Sequence, residues 1–362
     1  MTLSNLNDQE IERYARQITL QDIGLEGQIA LRKAKVSLIG IGGLGCPAAL
    51  QLVGLGVGSL KIVDRDIVSK SDLHRQYLYT SEDIGLPKVE AAFNRLSKLN
   101  PDVKIEAIPE SFSSSIAHDV LGDSDIVIDG LDRMAPRYIL NRACVDIGIP
   151  YVFGGALELR GNVFTIIPGE TACLECIYPG IDDDRMDRCA VVGVHPSILG
   201  LVSSIQVSEA TRIITGKKPH LAGKLWYADL SNLSFDLIPI TRVDKCSACG
   251  SEKGNREIIN APSIEETCAR DGRGTFVIKP KHKIDIEIPL LGKKIEVLGY
   301  RLITKSKLGI SFEYNAKIKV NILKSGIGII QVAPPRSDDD RRQVVEAYNL
   351  SLHELGIKEQ IE

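Results

Sequence analysis

Residues Lys35 to Gly45, KVSLIG followed by IGGLG, narrow what this chain can fold into more than any other stretch. Lys35 to Gly40 is a short apolar run with β-branched members and predicts a buried strand. Gly40-Ile41-Gly42-Gly43-Leu44-Gly45 follows directly and opens a helix-compatible run, Pro47 to Leu55. Glycines at Gly40, Gly42, Gly43 and Gly45 let the backbone turn tightly and approach a phosphate closely. The helix N-terminus behind them offers free N–H donors and a partial positive charge. Gly56 and Gly58 close the helix, and Ser59 to Asp64 predicts a second strand. The unit is about 30 residues long, the size of a nucleotide-binding βαβ unit. Asp64 ends the second strand, 19 residues after Gly45. A carboxylate there can accept both ribose hydroxyls. Alone, the loop fits NAD, FAD, SAM or ATP, with NAD first.

The alternation continues. Asp8 to Leu31 reads as helical, interrupted by Gly24 and Gly27, so helices are expected over about 8–33. Helices are expected over Lys88 to Leu99, Ser115 to Leu121 and Ala135 to Ile147, with strands at Lys104 to Ile108 and Asp125 to Asp129. Strands separated by helices imply a Rossmann-like, doubly wound, mainly parallel sheet in an α/β fold. Tyr151 to Ile167 and Lys224 to Ile240 read as longer strands around a helix at Ser197 to Thr215, an antiparallel extension of that sheet. The polar stretch Gly250 to Asn255 marks a boundary. Residues 1–254 are expected to form one domain and 255–362 a small, β-rich α+β domain with a helix near Asp338 to Leu355.

Composition sets limits. Hydrophobic residues make up 44% and charged residues 25%, with net charge -3. This excludes the strongly basic surface of a general nucleic-acid binder. No apolar run reaches the roughly 18 residues that span a bilayer. Met1 to Glu12 has no apolar signal core, and a cytoplasmic address is the expectation.

Four further residues change the order of nucleotides. Arg75 closes the segment Asp66 to Gln76, DIVSKSDLHRQ, in which Asp66 and Asp72 also count as nucleotide-side residues. Lys88 lies just inside a predicted helix, Asp132 follows the fourth strand, and Arg16 lies in the first helix. Loops after strands of a doubly wound sheet converge on one edge, so Arg75, Lys88 and Asp132 are expected to face the glycine loop. Arg and Lys neutralise charge building on an α-phosphate and on leaving pyrophosphate. A carboxylate beside them holds Mg²⁺. Hydride transfer needs none of this set.

The eight cysteines divide by spacing. Cys173-x-x-Cys176 and Cys246-x-x-Cys249 each have the knuckle spacing of a tetrahedral, structural zinc site, and about 70 residues separate them. Cys46 and Cys144 fall on apolar helix faces and read as core. Cys189 is unpaired in a segment rich in Asp and Arg, which reads as a mobile loop over about 180–194. Arg185 and Arg188 there would favour its thiolate.

Taken in order, Arg13-Tyr14-x-Arg16-Gln17, Gly40 to Gly45, Asp64, Arg75-Gln76, Pro87-Lys88-Val89, Asp132 and both cysteine pairs resemble the MoeB/ThiF/HesA family, the single-chain relatives of ubiquitin-activating enzymes. The likeness runs over about residues 8 to 250. It implies that Asp64 binds ribose, Arg75 and Lys88 contact phosphates, Asp132 holds Mg²⁺, and Arg16 reaches the ATP site of the partner subunit in a homodimer. It implies a zinc bridge between the cysteine pairs. Cys189 resembles the cysteine with which some relatives capture the activated carboxylate as a thioester or persulfide conjugate. Two positions depart from the family. Asp72 and Arg133 stand where it usually has Asn, and an acid at position 72 needs Mg²⁺ or Arg75 to compensate it near phosphates.

The resemblance implies ATP-dependent adenylation of the C-terminal Gly-Gly carboxylate of a ubiquitin-like or sulfur-carrier protein. ATP, Mg²⁺ and Zn²⁺ are the implied cofactors, and a downstream conjugating or sulfur-transfer protein is a further implied partner. Two readings compete: a NAD- or FAD-linked oxidoreductase using the same loop, and a non-catalytic nucleotide-binding scaffold, prompted by Asp72 and Arg133.

Overall fold

A computed structural model describes residues 6–183, 192–251, 263–268, 273–282, 284–335, 337 and 339–357. Helices α1 (Asp8–Ile18) and α2 (Gly24–Lys33) precede β1 (Lys35–Ile39). Helix α3 (Gly45–Leu55) leads to β2 (Ser59–Val63), α4 (Lys88–Leu99) to β3 (Lys104–Ile108), α5 (Ser114–Leu121) to β4 (Ile126–Asp129), and α6 (Met134–Ile147) to β5 (Tyr151–Leu157). After β6 (Arg160–Ile166) come the short α7 (Leu174–Ile177), α8 (Pro196–Ile214), β7 (Lys224–Asp229) and β8 (Ser234–Pro239).

These strands form one sheet in the order β3-β2-β1-β4-β5-β6-β7-β8. The first five are parallel and the last three antiparallel. Alternate residues of the buried strands feed two cores, as strands covered on both faces require. Val36, Leu38 and Leu60 pack with α3, α4 and α8, while Ile39, Val63 and Val127 pack with α5 and α6. The strand order reverses at β1, which lies between β2 and β4. Loops leaving those strands therefore open a crevice at the carboxyl end of the sheet, where ligands of such sheets bind.

A second sheet, all antiparallel, has the order β11-β12-β13-β14-β10-β9. Its strands are β9 (Ile264–Cys268), β10 (Gly274–Ile278), β11 (Arg301–Lys305), β12 (Gly309–Glu313), β13 (Ile318–Leu323) and β14 (Gly328–Val332). Helices α9 (Ile288–Val297) and α10 (Asp340–His353) belong to this unit, whose core joins them to the sheet through Leu291, Ile295, Val344 and Tyr348. A smaller cluster, Val277, Leu323, Ile327 and Ile329, packs against Ile67 of the first unit. Among the described residues no helix is long and apolar enough to cross a membrane.

The helices expected over about 8–33 are α1 and α2, parted by a turn at Thr19 to Ile23; Gly24, at φ +62°, opens α2, and Gly27 lies within it rather than interrupting it. Other sequence expectations need correcting. Tyr151 to Ile167 and Lys224 to Ile240 are each a hairpin rather than one long strand. The first turn, Glu158-Leu159, carries no Gly, Pro or Asn, and Glu158 itself adopts φ +54°. The second does carry turn chemistry: Asp229 Oδ1 accepts from Ser231 N at 2.9 Å. The last helix begins at Asp340, and Asp338 lies outside the described residues. Helix α9 is not expected from the sequence, since Pro289, Gly292 and its β-branched residues hide the helical period. Proline in the first turn costs no helical hydrogen bond.

Candidate active site

The glycine loop is built by backbone contact. Gly40 has φ +94°. A Cβ at Gly40 would lie 2.5 Å from Gly130 C, one at Gly45 would lie 2.1 Å from Gly40 O, and one at Gly130 would lie 2.2 Å from Gly40 O. Three stretches of main chain therefore touch where only glycine fits. Gly42 differs: the nearest atom to a Cβ there is Gln76 Nε2 at 3.9 Å, so that glycine faces open space. Asp64 ties into the loop, its Oδ2 accepting from Ile41 N at 2.8 Å and its Oδ1 from Asp66 N at 2.7 Å. Desolvation beneath the loop, and then the Asp66 charge, hold its pKa above the usual carboxylate range.

Lys88 sits at the centre of the charges. It is 5% exposed, at the start of α4, with Nζ 3.0 Å from Asp66 Oδ2 and 4.0 Å from Asp72 Oδ2. Burial works against its charge, but Asp66, Asp72 and Asp64 outweigh it and hold its pKa above the usual lysine range. Arg75 Nη2 lies 3.4 Å from Asp72 Oδ1. Asp72 Oδ1 also accepts from Gln76 Nε2, and its Oδ2 accepts from Ser69 N and Oγ at 2.9 and 2.8 Å. The acid at position 72 is thus neutralised by Arg75 and Lys88 and caps its own turn. The structure brings Asp64, Asp66, Asp72, Arg75 and Lys88 into one connected group beside Gly42.

Asp132 is exposed, two residues beyond the Gly130–Gly40 contact. Its loop rests on a buried network that the sequence does not signal. Arg137 Nε donates to Asp129 Oδ2 at 3.0 Å, and Tyr151 OH donates to the same oxygen at 2.8 Å. Arg137 Nη2 donates to Leu131 O at 2.5 Å and Gly154 O at 2.7 Å, and the guanidinium lies 5.1 Å from the Phe153 ring centre. A buried Asp–Arg pair inside the sheet holds the loop that carries Asp132.

Arg16 is not brought to this group within the chain. It is exposed in the last turn of α1, whose Gln17 bonds Leu55 O at the far end of α3. Eleven residues of α3 separate that end from the glycine loop, a length of about 16 Å. Cys189 lies outside the described residues.

The two cysteine pairs meet. Sγ of Cys173 lies 3.6 Å from Cys246 and 3.9 Å from Cys176, and Cys176 lies 3.5 Å from Cys249. All four sulfurs fall within 4.8 Å of one another. Zinc with Zn–S bonds of about 2.3 Å at tetrahedral angles spaces its sulfurs about 3.8 Å apart, so four thiolates so placed fit that ion. Glu175 between the first pair accepts from Arg142 at 2.9 Å and from Ser247 at 3.1 Å, locking both knuckles to α6. Cys46 and Cys144 are buried in the two cores, and burial pushes the Cys46 thiol up to about 12.

Comparisons with known proteins give the family and the fold. A sequence profile of the ThiF family matches residues 14–248. The chain is 35% identical over 270 residues to the SAMP-activating enzyme E1 of Haloferax volcanii, covering 74% of this chain and 98% of that one. It is 38% identical over 258 residues to the sulfur carrier protein adenylyltransferase of Thermus thermophilus, covering 70% and 95%. To the sulfur carrier protein ThiS adenylyltransferase of Escherichia coli it is 36% identical over 252 residues, covering 69% and 99%. Among solved structures, E. coli MccB with ATP aligns at a TM-score of 0.60 and 22% identity over 68% of this chain and 75% of that one, a likeness of fold.

Proposed function

The chain belongs to the ThiF family, and on that premise we propose that it is a cytoplasmic, homodimeric adenylyltransferase. Its substrates are Mg·ATP and a ubiquitin-like or sulfur-carrier protein ending in Gly-Gly. The observation that carries this reading is Lys88, buried among Asp64, Asp66 and Asp72 beside the open glycine Gly42. A fixed cation at that place suits a triphosphate and has no use in hydride transfer.

The carrier's terminal carboxylate attacks the α-phosphorus, and pyrophosphate leaves, giving an acyl-adenylate. Gly40 to Gly45 and the α3 N-terminus cradle the phosphates. Asp64 accepts from the ribose hydroxyls. Lys88 and Arg75 neutralise charge that builds on the α-phosphate and the leaving group. Asp132 holds Mg²⁺, which screens phosphate charge when bound. Positioning and charge stabilisation suffice, and no protein base is required. Arg16 serves the partner subunit's site, which accords with its exposed place at the far end of α3. Cys173, Cys176, Cys246 and Cys249 would hold a zinc that ties their two segments together. The Cys189 thiolate attacks the adenylate's acyl carbon and AMP leaves, giving a thioester; a nucleophile of a downstream conjugating or sulfur-transfer protein then takes the acyl group and frees the Cys189 thiol. A Cys189→Ser chain that accumulates a base-labile ester with the carrier supports that transfer, and full turnover without Cys189 contradicts it.

Replacing Asp132 with Ala tests the enzymatic reading. Because Asp132 is exposed and outside the core, the variant should fold normally. Its carrier-dependent ATP–pyrophosphate exchange should fall about 10²-fold, in the range for losing one preorganised charge. A non-catalytic scaffold would keep its function in the same variant.

A further inference from the structure

Glu265 belongs to β9 in the second sheet, yet side chains from loops of the first unit hold its carboxylate. Arg65 Nη2 donates to Glu265 Oε2 at 2.7 Å, and Arg133 Nη1 donates to the same oxygen at 3.2 Å. Lys279, at the end of the neighbouring strand, donates to Oε1. Burial favours the neutral acid, but the hydrogen bond from Arg65 and then that from Lys279 outweigh it and bring the Glu265 pKa down to about 2. The carboxylate is therefore charged throughout the neutral range and is 9% exposed.

The two arginines occupy telling places. Arg65 directly follows Asp64, and its Nη1 donates to Ser111 Oγ at 3.2 Å, just beyond the end of β3. Arg133 directly follows Asp132, with Nε 3.9 Å from Asp183. One carboxylate from the second unit thus joins the residue after the candidate ribose acid to the residue after the candidate Mg²⁺ acid. In a sheet of this order a nucleotide lies in the crevice at the end of β1, with the carboxylate that ends the second strand at its ribose. Arg65 and Ser111, just beyond β2 and β3, stand on that ribose side. The second unit also grips the segment that carries Lys88: Glu90 accepts from Lys307 N and Leu308 N at 3.0 and 2.8 Å, and Ser311 Oγ donates to Gly85 O at 3.1 Å.

We propose that Glu265 is a positioning residue for nucleotide binding, through which the second sheet forms the ribose-side wall of the adenylation site. This rests on the function proposed above. Glu265 holds Arg65 away from Asp64 and Asp66 and keeps the ribose end open. Without it, the Arg65 guanidinium, with its carboxylate gone, collapses onto the neighbouring acids Asp66 and Asp132, both of which already act on it electrostatically.

The test is the affinity of the full chain for a non-hydrolysable ATP analogue with Mg²⁺, measured by calorimetry without any carrier. E265Q should weaken binding about tenfold or more, as expected for losing hydrogen bonds to a charged group. Its zinc content and affinity for the carrier should match the parent chain. E265D, which keeps the charge but reaches less far, should recover part of the loss. K317A breaks an ion pair internal to the second unit, with Asp340, and should bind the analogue like the parent. Binding by E265Q within twofold of the parent overturns the proposal, and so does an equal loss in K317A. If E265Q does not fold, unchanged binding by E265D overturns it. A parent chain that binds no ATP analogue would instead sink the adenylation reading.

Discussion

Lys88→Met should give a chain that fails to adenylate and is more stable at about pH 5 than at pH 7. The side chain is nearly as long, so no large cavity opens. What disappears is the one buried cation among Asp64, Asp66 and Asp72. Removing one partner of a buried ion pair costs about 3–5 kcal/mol, because the charge left behind has no compensation. The direction with pH follows. Asp64 already sits above its unfolded value of about 3.9 although Lys88 lowers it; in the variant that opposing charge is gone, so the folded state binds more protons there than the unfolded chain. Stability then rises as pH falls through the raised values. In the parent chain Lys88 contributes stability below its unfolded pKa of about 10.4, lost only as pH rises through the higher folded value. Chemical denaturation at the two pH values reads the sign. Exchange activity should fall at least 10²–10³-fold. A Lys88→Met chain as stable at pH 7 as its parent would show that the acids are not held by this lysine.

The cysteine cluster carries the second large effect. Native mass spectrometry should find about one zinc per chain. Cys173→Ser, at a position 1% exposed, should release it. The four sulfurs join the segment after β6 to the segment after β8, and Glu175, Arg142 and Ser247 form a shell around them. Metal affinity at such a site is folding free energy, several kcal/mol or more. At about 2–4 °C per kcal/mol for a domain of 150–250 residues, the Tm should fall on the order of 10 °C or further. Prolonged chelation should do the same to the parent chain. No zinc in the purified protein, together with a Tm indifferent to chelator, would contradict this.

Part of the fold and the site is legible in the amino-acid sequence alone, for physical reasons that differ by residue. Gly40 and Gly45 are readable because a backbone crossing leaves no room for Cβ, and the sequence must show it. Gly130 obeys the same constraint from the other side, but nothing in the sequence singles it out. The grouping of Arg75 with Lys88 is readable because loops after parallel strands share one edge. Asp72 reads in the sequence as a charge facing phosphate, whereas in the fold it caps its own turn. That turn is Ser69-Lys70-Ser71-Asp72, a capping-box spacing in plain view. Arg137 and Tyr151 look like ordinary helix and strand residues, and only the fold turns them onto Asp129. Glu265 gives no local signal at all: its partner Arg65 lies 200 residues earlier in the chain. The turn at Glu158 stays hidden because it carries no Gly, Pro or Asn, and helix α9 because Pro289, Gly292 and its β-branched residues obscure the helical period.

The most direct test of adenylation is exchange of labelled pyrophosphate into ATP, run with Mg²⁺ and a panel of small ubiquitin-fold proteins ending in Gly-Gly. Exchange should appear only when one of these carriers is present and should vanish when its last glycine is removed. Absence of exchange with every carrier, or a tightly bound NAD or FAD in place of ATP, would contradict it.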